Sequence, residues 1–150
     1  MEPSKSVHKR LEKELRNILS DPPPNCSANL VDGNLFHWQA SIIGPSNTPF
    51  EGGVFFLDFI FSVDYPLKGP QIKFITPIFH PNIDSDGYIN IFCEDFSPAL
   101  NVSTILLTIC SILADPLIDE PLVPEIAEIY LTDRQRYNQL AKEFCQNCAM

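Results

Sequence analysis

The sequence predicts an α+β layered domain, and three observations carry that prediction. Strand-period segments crowd into the first half of the chain, over 35–43, 54–61 and 71–75. Turn-rich links such as GPSNTPFEGG and DYPLKGP join them, which suits an antiparallel meander. Apart from one amino-terminal segment, helical periodicity resumes only after residue 100, and strands grouped ahead of helices segregate into layers.

Each element has its own warrant. Residues 7–19 put Val7, Leu11, Leu15, Ile18 and Leu19 on one helical stripe, with Lys9, Arg10, Lys13 and Arg16 opposite. The prolines of DPPPN, which lack backbone donors, end that helix. In LFHWQASII, Phe36, Trp38, Ala40 and Ile42 alternate with His37, Gln39 and Ser41, the pattern of a half-buried strand. VFFLDFIF and QIKFI supply two more. Ser103 and Thr104 are expected to cap the apolar helix ILLTICSILA, which must be buried on most sides. PLIDEPLVP reads as a loop and Glu125–Tyr130 as a short helix. Thr132 and Asp133 are expected to cap a last helix whose face carries Tyr137, Leu140, Ala141, Phe144 and Cys148. No repeat or linker interrupts the chain, so a single domain over 1–150 is expected.

Bulk properties narrow the function. A chain of 150 residues can bury roughly two-thirds of its unfolded surface, enough for one core. A net charge of −9 argues against nucleic acid and for basic protein surfaces as partners. The start, MEPSKSVHKRLEKELRN, is charged where a signal peptide is apolar, and no apolar run has the length to cross a bilayer. Five cysteines without a secretion signal point to reduced thiols, hence to cytoplasm, nucleus or both, and no membrane partner is expected.

Spacing decides the two candidate metal sites. In NIDSDGYINIFCE, Asn82, Asp84, Asp86, Gly87 and Ile89 imitate the front of a calcium loop. The place of the bidentate glutamate holds Cys93, with Glu94 one residue late, and Pro77, Pro81 and Pro98 oppose flanking helices. A surface turn is expected. Cys145 and Cys148 form a CxxC with no second pair, so helix packing on one face explains them, and neither metal nor cofactor is expected. His8 and His37 have no nucleophile near them in sequence. His80, followed by Pro81 and Asn82, is expected to bond local backbone and hold its turn.

Seven ordered blocks then carry a resemblance: DPPPNCSA, NLFHWQASIIGP, PFEGGVFFLDF, DYPLKGP, HPNIDSDG, SPAL and PLVPEIAEIYLTDRQRYNQLAKEF. Together they resemble the ubiquitin-conjugating enzyme family, in its core-domain-only form, over nearly the whole chain. The resemblance implies a four-stranded antiparallel meander flanked by four helices. It also implies a cysteine ten residues after the histidine of the HPN turn, which accepts ubiquitin as a thioester. That position holds Asn90, and a carboxamide cannot exchange a thioester. The family's aspartate two places on is Phe92, and the link to SPAL is two residues short of the family pattern.

Two readings follow from this break. In the leading one the chain is an inactive variant that binds ubiquitin, a RING-type ligase or an active conjugating enzyme. In the alternative, Cys93 takes over as nucleophile, an activating enzyme becomes a partner, and ubiquitin passes to lysine. Cys93 lies eleven residues after Asn82, where the family spacing is eight. Three residues of extended chain displace a side chain by roughly 10 Å and flip its face. Attack needs about 3–3.5 Å, so Cys93 serves only if the shortened link folds back.

The resemblance implies further roles. Asn82 corresponds to an oxyanion donor or a brace for the site loop, and Asp119 and Glu120 to an acidic gate for incoming lysine. Leu107 and Ser111 correspond to the surface on which donor ubiquitin folds back, and Ser27 to the outer sheet face where free ubiquitin docks. Ile60 is expected on that outer face too. Lys9, Arg10, Lys13, Leu67, Ser97, Pro98 and Ala99 correspond to the ligase-binding surface, with Leu67 standing where the family commonly has phenylalanine.

Overall fold

The computed structural model describes residues 5–89 and 97–150. Helix α1, Lys5–Ser20, buries Val7, Leu11, Glu14 and Ile18. These positions fall within a narrow arc of the helical wheel, leaving Leu15 on its flank and Leu19, expected inside, 55% exposed. The stripe is therefore rotated from the expected one. Its centre includes a carboxylate, which an apolar-only count passes over.

Four strands follow: β1 Cys26–Val31, β2 Asn34–Ile43, β3 Val54–Ile60 and β4 Gln71–Phe74. They pair antiparallel in the order β1-β2-β3-β4, the expected meander. Residue patterning alone does not mark β1, because the inward Cys26 and Ala28 are too small to stand out against Ser27 and Asn29; only the family resemblance implies a fourth strand. The register aligns Ala28 with Ala40, Ala40 with Leu57 and Leu57 with Phe74. That row, with Trp38, Phe59 and Ile72 beside it, points inward and is buried. Since sheet side chains alternate, Ser27, Ser41 and Phe56 line up on the outer face.

Helix α2, Val102–Ala114, lays Ile105, Leu106 and Ile109 into the core. Each such side chain contributes on the order of 1.5–3 kcal/mol by leaving water. Its cap is Asn101 rather than the expected Ser103 and Thr104. Asn101 Oδ1 accepts from the Thr104 amide at 2.8 Å, so both residues lie in the first turn. The helix is also less enclosed than expected, since Leu107 and Ser111 form an exposed edge.

Helix α3, Pro124–Thr132, starts with proline where the missing donor costs nothing. Helix α4, Arg134–Cys148, is capped by Asp133, whose side chain accepts from the Arg136 amide; Thr132 belongs to α3 instead. The buried face of α4 is Tyr137, Ala141 and Cys145, while Leu140 is half-buried and Phe144 and Cys148 are exposed. The expected face was turned by part of a helical turn. Cys145 and Cys148 consequently diverge: the Cys145 thiol packs so close to Gly53 that a Cβ there would lie 2.5 Å from its sulfur.

The DSDG turn leads towards the region of interest. Asp84 Oδ1 accepts from the amides of Asp86 and Tyr88, both at 3.0 Å, so the carboxylate closes a turn. Among the described residues no three His, Cys, Asp or Glu side chains gather as a metal set. Gly87 has φ +94°, and a Cβ on it would sit 2.1 Å from the Phe74 carbonyl oxygen. Gly87→Ala is therefore expected to cost about 2–3 kcal/mol through backbone strain and the clash, read as a lower urea midpoint. No helix among the described residues is long and apolar enough to cross a membrane.

Candidate functional site

The His80–Asn82 turn is held from three directions. His80 is fully buried, and its Nδ1 accepts from the Asn82 amide at 3.0 Å. That assigns the ring proton to Nε2, which donates to the Ile112 carbonyl of α2 at 2.8 Å. Burial pushes the imidazole pKa down to about 4, so the ring is neutral at neutral pH. Half of the sequence expectation holds as stated, since Asn82 is local backbone. The other partner lies 32 residues away, on α2.

Asn82 is itself fully buried. Its Nδ2 donates to the Leu117 carbonyl at 2.8 Å, and its Oδ1 accepts from the Leu117 amide at 2.9 Å. The Val123 amide donates to the Pro81 carbonyl at 2.9 Å. Three bonds thus sew the 116–123 loop to the turn. Asp119 and Glu120 stand exposed in that loop, on an open cleft of about 510 Å³ that Leu117 and Ile118 also line. A carboxamide spent on both backbone groups of Leu117 acts as a brace, and the acidic pair is positioned through it. Asn90 and Cys93, the expected thiol position and its alternative, lie outside the described residues.

An HPN turn under an acidic loop, on a four-stranded meander with α2 behind it, can be compared with known proteins. The family model described as ubiquitin-conjugating enzyme matches residues 10–145. The chain belongs to the ubiquitin-conjugating enzyme family. It is a ubiquitin-conjugating-enzyme-like protein of the ubiquitin pathway, and members of this family interact with ubiquitin and with ligases.

The residues that correspond to the family's ligase-binding surface are drawn together by the fold. Lys9 and Lys13 are exposed on α1, and Leu67 is 78% exposed at the corner before β4. Ser97, Pro98 and Ala99 are exposed as well. Arg10 differs from its two basic neighbours. It is half-buried, and its Nη2 donates to the Pro98 and Leu100 carbonyls at 2.9 and 2.8 Å. Its guanidinium is thus committed to fastening α1 to the 97–100 loop. Glu14, which bonds Arg10 at 2.7 Å, has no place in an apolar-only pattern. The available signal was a lone carboxylate between Leu11 and Ile18 on an otherwise apolar stripe.

The residues that correspond to ubiquitin-binding positions fall into two places. Leu107, 48% exposed, and Ser111 share the outer edge of α2, one helical turn apart. Ser27 lies on the outer sheet face, with its hydroxyl bonded to that of Ser41. Ile60 is on that face as expected, and Ile43, Val54, Phe56 and Ile75 are exposed there too. The strand alternation in VFFLDFI already made Phe56 an outward position. On the same face His37 Nε2 stands 3.1 Å from Asp58 Oδ1, a partner that sequence adjacency did not reveal.

Proposed function

We propose that this family member is a binding and regulatory variant that does not form a ubiquitin thioester. One observation carries the reading: counted from His80, the family's cysteine position holds Asn90. The amide nitrogen of a carboxamide has its lone pair delocalised into the carbonyl, so no acceptor of thioester quality stands there. The binding features support the other half of the reading. Leu67 and residues 97–99 are exposed, Arg10 and Glu14 of α1 bond Pro98 and Tyr65 beside them, and Leu107 and Ser111 are accessible on α2. Such a protein engages ubiquitin, a RING-type ligase, or an active conjugating enzyme as heteromeric partner. In the cytoplasm or nucleus it occupies a ligase without delivering ubiquitin.

The test is incubation with activating enzyme, ATP and ubiquitin, followed by electrophoresis with and without thiol. The natural chain is expected to give no reducible adduct, whereas Asn90→Cys is expected to give one. A reducible adduct on the natural chain that vanishes in Cys93→Ala would make it an active transferase and overturn the proposal.

A further inference from the structure

The ligase-facing surface comes from three separated segments: α1, the corner around Tyr65–Leu67, and the 97–100 loop. One buried side chain on the first of them bonds the second directly and reaches the third through Arg10. Glu14, 6% exposed, faces inward from α1. Its Oε2 accepts from Arg10 Nε at 2.7 Å and from the Tyr65 hydroxyl at 2.6 Å. Its Oε1 accepts from the Val102 amide at 2.8 Å, the first residue of α2. Arg10, held in place by Glu14, extends Nη2 to the Pro98 and Leu100 carbonyls. The Arg10 guanidinium also lies over the Tyr65 ring, 5.7 Å from its centroid.

The chemistry of this cluster is specific to a carboxylate. Three donors converge on its two oxygens, and a buried carboxylate needs such donors to replace water. Val102 offers one of the unpaired amides at a helix start, where negative charge is favoured by the helix dipole. A glutamine of the same size has only one acceptor oxygen and brings two new N–H donors. It also leaves the Arg10 guanidinium without its counter-charge. An aliphatic residue would satisfy none of the three donors.

Resting on the proposed ligase-binding role, we infer that Glu14 is a positioning residue for the ligase-docking surface. It sets the corner bearing Leu67 and the loop bearing Ser97, Pro98 and Ala99 at a fixed spacing on α1, without itself touching the partner. The partner surface it prepares for is one that meets an exposed aliphatic side chain, a short proline loop and the lysines Lys9 and Lys13. That combination fits a protein domain with an apolar groove flanked by acidic groups.

Nuclear magnetic resonance on the full chain tests the inference independently of any ligase. In Glu14→Gln, the Leu67 methyl and Ala99 amide signals are expected to shift, while Ile60 on the outer sheet face stays in place. Binding is then measured against a set of isolated RING domains. For whichever of them binds the natural chain, affinity is expected to fall about tenfold, within the usual span of coupling through an intervening group. Ubiquitin binding at the outer sheet face is expected to be unchanged, which a general loss of structure would not allow. Tyr65→Phe, which keeps the ring and removes one donor, should move Leu67 alone and weaken RING binding less. It decides the matter if Glu14→Gln does not fold. Unmoved Leu67 and Ala99 signals in a folded Glu14→Gln, or an unmoved Leu67 in Tyr65→Phe, would overturn the inference. If no RING domain binds the natural chain, the ligase reading fails, and the resonance shifts still decide the role of Glu14.

Discussion

Asn82→Ala is expected to destabilise the protein by about 2–4 kcal/mol and to loosen the loop that carries Asp119 and Glu120. The side chain is fully buried, and both of its polar groups bond the backbone of Leu117, at 2.8 and 2.9 Å. Truncation leaves an amide and a carbonyl without partners, each costing about 1–3 kcal/mol to the extent that water cannot reach it. A small cavity adds to the loss. Asn82→Asp separates the two bonds: the oxygen facing the Leu117 amide is retained, but the other would confront the Leu117 carbonyl with like charge. It is expected to be at least as damaging as alanine. Urea unfolding gives the stability, and amide exchange at Leu117 and Val123 reports the loop. A midpoint within about 0.5 kcal/mol of the natural chain would show that the brace is dispensable.

The second large effect is acid lability centred on His80. Burial, opposed in part by the bond to the Ile112 carbonyl, lowers its pKa from 6.5 to about 4 in the folded chain. Between these values the unfolded chain binds the proton more readily than the folded one. The contribution is therefore fully present above pH 6.5 and is lost as the pH falls towards 4. At about 1.4 kcal/mol per pH unit, the loss approaches 3 kcal/mol. The structural cause is definite: a protonated Nδ1 can no longer accept from the Asn82 amide, and a buried cation replaces a neutral ring. Urea unfolding at a series of pH values should show this decline. The His80 ring resonances should titrate with a midpoint near pH 4, and a midpoint near 6.5 would refute the assignment.

These two residues also mark the limit of sequence reading at the site. HisPro followed by Asn announced a tight turn, because proline restricts the backbone on either side of it. Nothing in the string showed that His80 reaches Ile112 or that Asn82 reaches Leu117, 35 residues on. The same division runs through the fold. Strands were legible at 35–43, 54–61 and 71–75, while β1, with no large alternating residues, was not. The faces of α1 and α4 came out rotated, because what each helix buries depends on the neighbour it meets. Glu14 enters the interior for the donors of Tyr65 and Val102, and Cys145 for the space that Gly53 leaves.

The sequence by itself determined three of the four strands, the late helices, and the count of ten residues from His80 to Asn90. Periodicity and distance along a chain are local properties that need no third dimension. Only the tertiary structure decided that Asn101 caps α2, that Arg10 faces the 97–100 loop, and that Asn82 braces the acidic loop. Those outcomes depend on which buried donors and acceptors find each other once distant segments are packed, and no spacing rule encodes that.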